Sequence, residues 1–195
     1  MKNYIEFCKQ QFNKTLKPRI YVACLAAYNN GYLHGEWIDA SQEVDRLYAE
    51  IKKILSNSPI ADAEEWAIHD YEGFGNLSIH EYTDMGTIAA LASFVIEHGE
   101  FGAVVLAHVN GDIDDANRLL EECYHGEHKS EVDFVISFVN EIMTIPDYLS
   151  NYVDYEKMAR DLFINDFFSI EINHKVHVFS NEQQLLRHTR SCGSW

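Results

Sequence analysis

Between residues 36 and 171 the chain places 29 acidic residues and only seven basic ones. That imbalance constrains the fold before any local pattern is read. Like charges repel, and the repulsion grows as a chain compacts. The carboxylates must stay at the surface, and apolar residues must fill small cores beneath them. The material is there: 47% of the 195 residues are hydrophobic and 13% are aromatic. A disordered acidic tail has no such content. A solvated face normally intersperses lysines among its acids, and here they are scarce. The ends lean the other way, net +4 over residues 1–19 and +2 over 172–195, so a middle of −22 shows as −16 overall.

The same theme appears locally in Glu64-Glu65-Trp66-Ala67-Ile68-His69-Asp70-Tyr71-Glu72-Gly73-Phe74. Trp66 and Ile68 alternate with Ala67 and His69, the period of a half-buried strand. Acids stand at both ends, and Gly73 permits a turn at the exit.

Read in order, the chain predicts an α+β fold in three small tandem domains. Residues 1–18 form an N-terminal extension, with a short helix through Tyr4, Phe7 and Cys8 stopped by Pro18. Arg19 to Tyr28 reads as a strand, Asn29-Asn30-Gly31 as a turn, and Leu33 to Ile38 as the returning strand. Ser41 is placed to cap a helix whose apolar face is Val44, Leu47, Tyr48, Ile51, Ile54 and Leu55. Asn57-Ser58-Pro59 stops it. With the Trp66 strand this makes domain 1, residues 19–75, a three-stranded antiparallel sheet plus a helix. Asp84 opens a helix that Gly99 ends, and Phe101 to His108 forms another. These are the helical domain 2, residues 76–110. In domain 3, residues 111–180, Asp112 caps one helix. Ser130 and Asp133 resemble a capping box for a second, and Pro146 and Asp154 start two more. Phe167–Ile172 and Lys175–Phe179 form a hairpin across Asn173-His174. Residues 181–195 are a polar tail.

Several chemistries lack their signatures. Cys8, Cys24, Cys123 and Cys192 are scattered, which disfavours zinc ribbons, redox dithiols and secreted disulfide frameworks. No apolar run of signal-peptide length is visible, and Met85 to Ile96 is short of the roughly 20 residues needed to span a bilayer. The expectation is a cytoplasmic protein with no membrane partner. Asn110, Asp112, Asp114 and Glu121 approach calcium-loop spacing, but Asp115 stands where that loop requires glycine. The pairs His125/His128 and His174/His177 have no flanking metal motif. Neither nucleophile nor phosphate-binding motifs occur. The expectation is no enzyme, no cofactor and no metal. Free nucleic acid would be repelled, whereas a basic protein groove would be attracted.

Four patches carry a resemblance. They are Tyr28-Asn29-Asn30-Gly31 leading to Gly35-Glu36-Trp37-Ile38-Asp39; Glu65 through His69-Asp70-Tyr71-Glu72-Gly73-Phe74; Tyr124-His125-Gly126-Glu127; and Tyr152-Val153-Asp154-Tyr155-Glu156 followed by Ala159-Arg160-Asp161-Leu162. In this order, over about Arg19 to Phe179, the chain resembles the ArdA antirestriction proteins. The resemblance implies three domains in a curved, elongated row and a homodimer. It implies an acidic surface that imitates DNA, occupies the DNA-binding groove of type I restriction–modification enzymes (specificity and modification subunits) and acts without catalysis.

Duplex DNA carries one charge per roughly 1.7 Å, so −22 matches at most about 37 Å of duplex. The acidic surface is expected to comprise Glu36, Asp39, Glu64, Glu65, Asp70, Glu72, Asp112, Asp114, Asp115, Glu121, Glu122, Glu127, Glu131, Asp133, Glu156 and Asp161. A dimer contact is expected at Val132, Phe134, Val135, Phe138 and Val139, with packing against the hairpin Phe167–Phe179 as the alternative for Phe134 and Phe138. The rival function is an acidic oligomerising or adaptor protein that binds another basic protein surface.

Overall fold

The structure, a computed structural model, describes residues 16–181. The helix expected before Pro18, the tail after Asn181, and Cys8 and Cys192 lie outside the described residues. The chain divides into two units, with the boundary between Ala116 and Asn117. The residues assigned to a helical middle domain, 76–110, fall in the first.

In the first unit β1 (Arg19–Cys24) is the central strand of an antiparallel sheet in the order β2-β1-β3. The apolar run from Arg19 to Tyr28 does not continue as strand. Partners exist only as far as Ala23 opposite Gly35 and Cys24 opposite Trp66. Beyond them the chain winds into α1 (Leu25–Asn29), with Leu25 N–H donating to the Glu65 carbonyl at 3.0 Å. A short apolar run fits helix and strand equally by period, and here the lack of pairing partners decides. The returning strand β2 is Gly35–Asp39.

α2 (Val44–Ser56) buries Leu47, Ile51 and Ile54 and packs on β1 and β2. Ser41 does not cap it. Its N–H and hydroxyl both donate to Asp39 Oδ1, at 2.9 and 2.6 Å, and Glu43 precedes the helix without a side-chain cap. β3 (Trp66–Glu72) also departs from strict alternation, since Ala67 and Ile68 are both buried. The register explains this: Tyr21 faces Asp70 and Val22 faces Ile68, leaving His69 as an extra residue in a bulge.

Asp84 caps α3 (Met85–His108), accepting from Gly86 and Thr87 N–H at 2.8 and 3.2 Å. Gly99, at φ 63° and ψ −155°, breaks the element into the two expected helices. Only glycine occupies that backbone region readily. α3 is long and apolar enough to cross a membrane by length and composition, but half of its most apolar window is buried inside the protein. α4 (Ile113–Arg118) starts at Asp112, whose Oδ1 accepts from Asp115 N–H at 2.9 Å. A π-helical turn (Leu119–Cys123) follows.

The second unit holds a strand that the sequence pattern did not announce. β4 (Tyr124–His128) joins the hairpin to make a second antiparallel sheet, in the order β4-β6-β5. β5 (Phe167–Ile172) and β6 (Lys175–Ser180) turn through Asn173 and His174, at φ 52° and 61°. Both central residues have the positive φ of a type I′ hairpin turn. α5 (Glu131–Ile142) begins with Ser130 Oγ accepting from Asp133 N–H at 3.1 Å. Asp133 answers by accepting the Ser130 hydroxyl proton at 3.0 Å, a variant of the expected capping box. α6 (Asp147–Ser150) follows Pro146, and Asp154 caps α7 (Tyr155–Asn165) by accepting from Lys157 N–H at 2.9 Å. The core gathers Phe134, Val135, Val139, Ala159, Phe167 and Val178. Phe134 meets Phe167 edge to face at 4.9 Å.

Two predictions follow from these contacts. At Gly73, φ is +79° and an added Cβ would stand 2.3 Å from the Lys17 carbonyl oxygen. Gly73→Ala should therefore lose more than about 2 kcal/mol, combining backbone strain with a clash that no rotamer relieves. Urea denaturation with an unchanged midpoint would refute this.

His177, only 1% exposed, sits with Nδ1 2.8 Å from the Tyr124 hydroxyl. Burial pushes its pKa below the usual value; His128 and Lys175 add to the fall and Glu127 opposes it. The unfolded chain therefore binds the extra proton below about pH 6.5. Stability should be full above that pH and decline as the pH falls toward the folded-state pKa. The unfolding midpoint should drop between pH 7.5 and 5.5, and drop less in His177→Gln. Equal drops would exclude this histidine as a source.

Candidate functional site

The outer face of the first sheet is assembled by strand register. Arg19 lies between Asp39 and Glu72, and Tyr21 lies between Trp37 and Asp70. Directly opposed residues point to the same side of a sheet, so three of the expected carboxylates share this face. Arg19 Nε donates to Glu72 Oε1, and the guanidinium lies 4.9 Å from the Trp37 ring centroid. The tryptophan in turn meets Tyr21 edge to face at 5.6 Å. Arg19 is clamped, and it fixes the direction of Glu72.

Asp39 is held by Ser41, whose hydroxyl bond is the main cause lowering its pKa. Asp70 Oδ1 accepts from Tyr71 N–H at 2.8 Å. Glu36, Glu64 and Glu65 are exposed. From residue 54 to residue 117 there is no lysine or arginine at all, against twelve acids. Asp112 and Asp114 are exposed and Asp115 is half-buried at the start of α4. Asp84, outside the expected set, belongs to the same acidic run; the Thr87 hydroxyl is the main cause that lowers its pKa.

In the second unit Glu121 and Glu122 project from the π-helical turn, and Glu156 and Asp161 are exposed on α7. Asp133 is exposed but tied to Ser130. Two acids are more enclosed. Glu127 receives Lys175 Nζ at 2.9 Å, and Glu131 receives the Ser169 hydroxyl at 2.7 Å. Of the sixteen expected carboxylates, thirteen are exposed, and Asp115, Glu127 and Glu131 are half-buried. Asp39, Asp70, Glu72, Asp112, Glu127, Glu131 and Asp133 are aimed by a hydrogen bond or ion pair.

The apolar residues expected at a dimer contact lie mostly inside the second unit. Phe134, Val135 and Val139 are 3%, 0% and 2% exposed, and Val132 and Phe138 pack partly buried against them. The alternative partner, the hairpin, is what Phe134 and Phe138 meet, through Phe167.

Among the described residues, no group of three or more His, Cys, Asp or Glu is arranged to hold a metal ion. The described cysteines, Cys24 and Cys123, are buried thiols. What the charge pattern alone missed is the aromatic content of the surface. Tyr28, Tyr82 and Tyr152 are 55%, 70% and 84% exposed among the acids. The available signal was the number of tyrosines, eleven in 195 residues.

Such a surface suits electrostatic recognition of a cationic partner. No curated protein gives a significant match to the chain. A family model described as antirestriction protein (ArdA) matches residues 20–176. The chain therefore belongs to the ArdA antirestriction family, which is not a family of catalysts.

Proposed function

We propose that this chain blocks restriction by standing in for DNA. Its carboxylates take the places of phosphates in the basic groove of a type I restriction–modification enzyme, in the cytoplasm, and exclude the duplex. The observation that carries the reading is the 64-residue stretch without a lysine or arginine, folded so that its acids lie at the surface. Arg19 on Glu72, and Ser41 on Asp39 upstream of that stretch, fix some of the surface charges before any encounter. Preset groups lose less conformational entropy on binding. An acidic adaptor would also bind a basic surface, but it would not compete with DNA.

Competition against a fluorescent duplex for a purified type I methyltransferase core tests this. Inhibition should follow stoichiometry and not time, and affinity should fall steeply with salt, since the Debye length is about 10 Å at 0.1 M. Glu36→Gln alone should cost about 1 kcal/mol or less, because exposed pairs are individually weak. Glu36, Glu64, Glu65 and Asp70 neutralised together should cost about tenfold or more with the fold intact. Salt-independent binding, or loss of binding from Glu36→Gln alone, would sink the distributed reading.

The homodimer belongs to the same proposal. With Phe134 and its neighbours enclosed, pairing would draw on exposed apolar side chains of the second unit, among them Ile142, Met143, Leu149, Tyr152 and Ile164. Sedimentation at micromolar concentration should give twice the chain mass, and Tyr152→Ser with Ile164→Ser should shift it toward the monomer. A parent protein that sediments only as monomer would end this part of the proposal.

A further inference from the structure

Beside the outer edge of β3 lies a hollow of about 480 Å³, lined by Tyr28, Ile68, His69, Tyr71, Ile79 and Glu81. Its construction follows from two features of the fold. The bulge at His69 disturbs the strand, and the segment through Glu81 is held alongside by Ile68 N–H donating to the Glu81 carbonyl at 2.9 Å. α1 brings Tyr28 to the same place, where its ring meets His69 edge to face at 4.9 Å. The volume falls within the roughly 300–1,000 Å³ of sites that seat small chemical groups.

The lining selects its occupant. Two tyrosines and two isoleucines line it beside His69 and Glu81, so aromatic, apolar and acidic residues meet at one place. Five of the six lining residues come from the stretch with no lysine or arginine, so Glu65, Asp70, Glu72 and Asp84 surround them in sequence with no basic residue interspersed. A neutral apolar group would offer the exposed Glu81 no partner. A cation compensates it, and the tyrosine faces add cation–π attraction. Arginine fits better than lysine. Its guanidinium is planar and weakly hydrated, stacks on aromatic faces and presents a fork to a carboxylate.

We propose that this hollow receives an arginine side chain of the protein partner and anchors it there. Where the partner is identified as the basic groove of the restriction enzyme, the proposal rests on the function given above. The distributed carboxylates then steer and align, while the hollow supplies one fixed point of register. Interface energetics commonly concentrate at such seated arginine and tyrosine contacts.

The test uses the intact protein and two peptides, Gly-Gly-Arg-Gly-Gly and its lysine counterpart, titrated while the ring signals of Tyr28 and His69 are followed by NMR. The arginine peptide should shift both signals saturably and bind at least about threefold more tightly than the lysine peptide. The shifts should weaken about fivefold or more in Tyr28→Ala and in Glu81→Gln, two variants at exposed side chains. Shifts that never saturate, or that persist unchanged in both variants, overturn the proposal.

Against the restriction enzyme, Tyr28→Ala should weaken competition with DNA about tenfold or more, clearly beyond the effect of Glu36→Gln. If the parent protein competes and Tyr28→Ala competes equally well, the hollow is no anchor although the groove-occupying function stands. If the arginine peptide binds and the parent does not compete with DNA, the hollow stands and that function falls.

Discussion

Repulsion among carboxylates is the constraint on which the rest of the structure depends. A folded unit must hold these charges close together, against self-repulsion, with few cations to relieve it. Much of the local architecture answers that demand. Asp84, Asp112, Asp133 and Asp154 stand at helix starts, where backbone N–H groups and the helix dipole favour negative charge by roughly 0.3–1 kcal/mol each. Asp39 and Glu131 accept hydroxyl protons. Glu72 and Glu127 take the two described cations that reach across strands, Arg19 and Lys175. The charges are placed where short-range donors offset their mutual repulsion.

The opposing force comes from two apolar cores. In the second unit it is unusually aromatic: Phe134 touches Phe138, Phe163 and Phe167, and His125 and His128 meet the same ring, one tilted and one edge-on. Large rings bury much area per residue, which suits a small unit with a heavily charged exterior. The aromatic core also accounts for the second apolar edge of α5. That edge suggests an unpartnered face until the hairpin is folded back and Phe167 meets it. A helix pattern shows which residues seek cover, and it does not say from where.

Sequence made legible whatever was settled by local chemistry. Asp84, Asp112, Ser130 and Asp154 sit at helix starts because their side chains reach backbone donors two or three residues away. Asn173-His174 turns the hairpin because positive φ is needed there and asparagine tolerates it. Gly99 broke the long helix as its conformational freedom suggested. Sequence failed where a distant partner decided. Leu25–Asn29 is helical because neither neighbouring strand extends far enough to pair with it. Ser41 is a local exception: it donates to Asp39, two residues back, instead of accepting from the N–H groups at the helix start. Tyr124–His128 has no alternating pattern, and Gly126 sits at φ 103° beside a register shift, so only its pairing with β6 reveals it as a strand. The acidic surface was readable because exposure is the default for carboxylates. The aromatic hollow was not, since it brings Tyr28 against a bulge about forty residues further along the chain.

Magnitudes then decide how such a surface can bind tightly. Nanomolar affinity requires about −12 kcal/mol. Exposed ion pairs supply about 0.2–1 kcal/mol each, and association itself costs an estimated 4–15 kcal/mol. Even sixteen carboxylates paired one for one would scarcely cover that cost at the middle of the range. Charge of this kind excels at raising the encounter rate and suppressing wrong partners, and both effects weaken with salt. Tight occupancy of a groove, as proposed above, would have to draw on desolvated contacts as well: tyrosines among the acids, the proposed dimer and the proposed seated side chain. On this arithmetic an acidic surface alone would be a good competitor at low salt and a poor one at physiological salt. The exposed tyrosines are the described residues best suited to closing that gap.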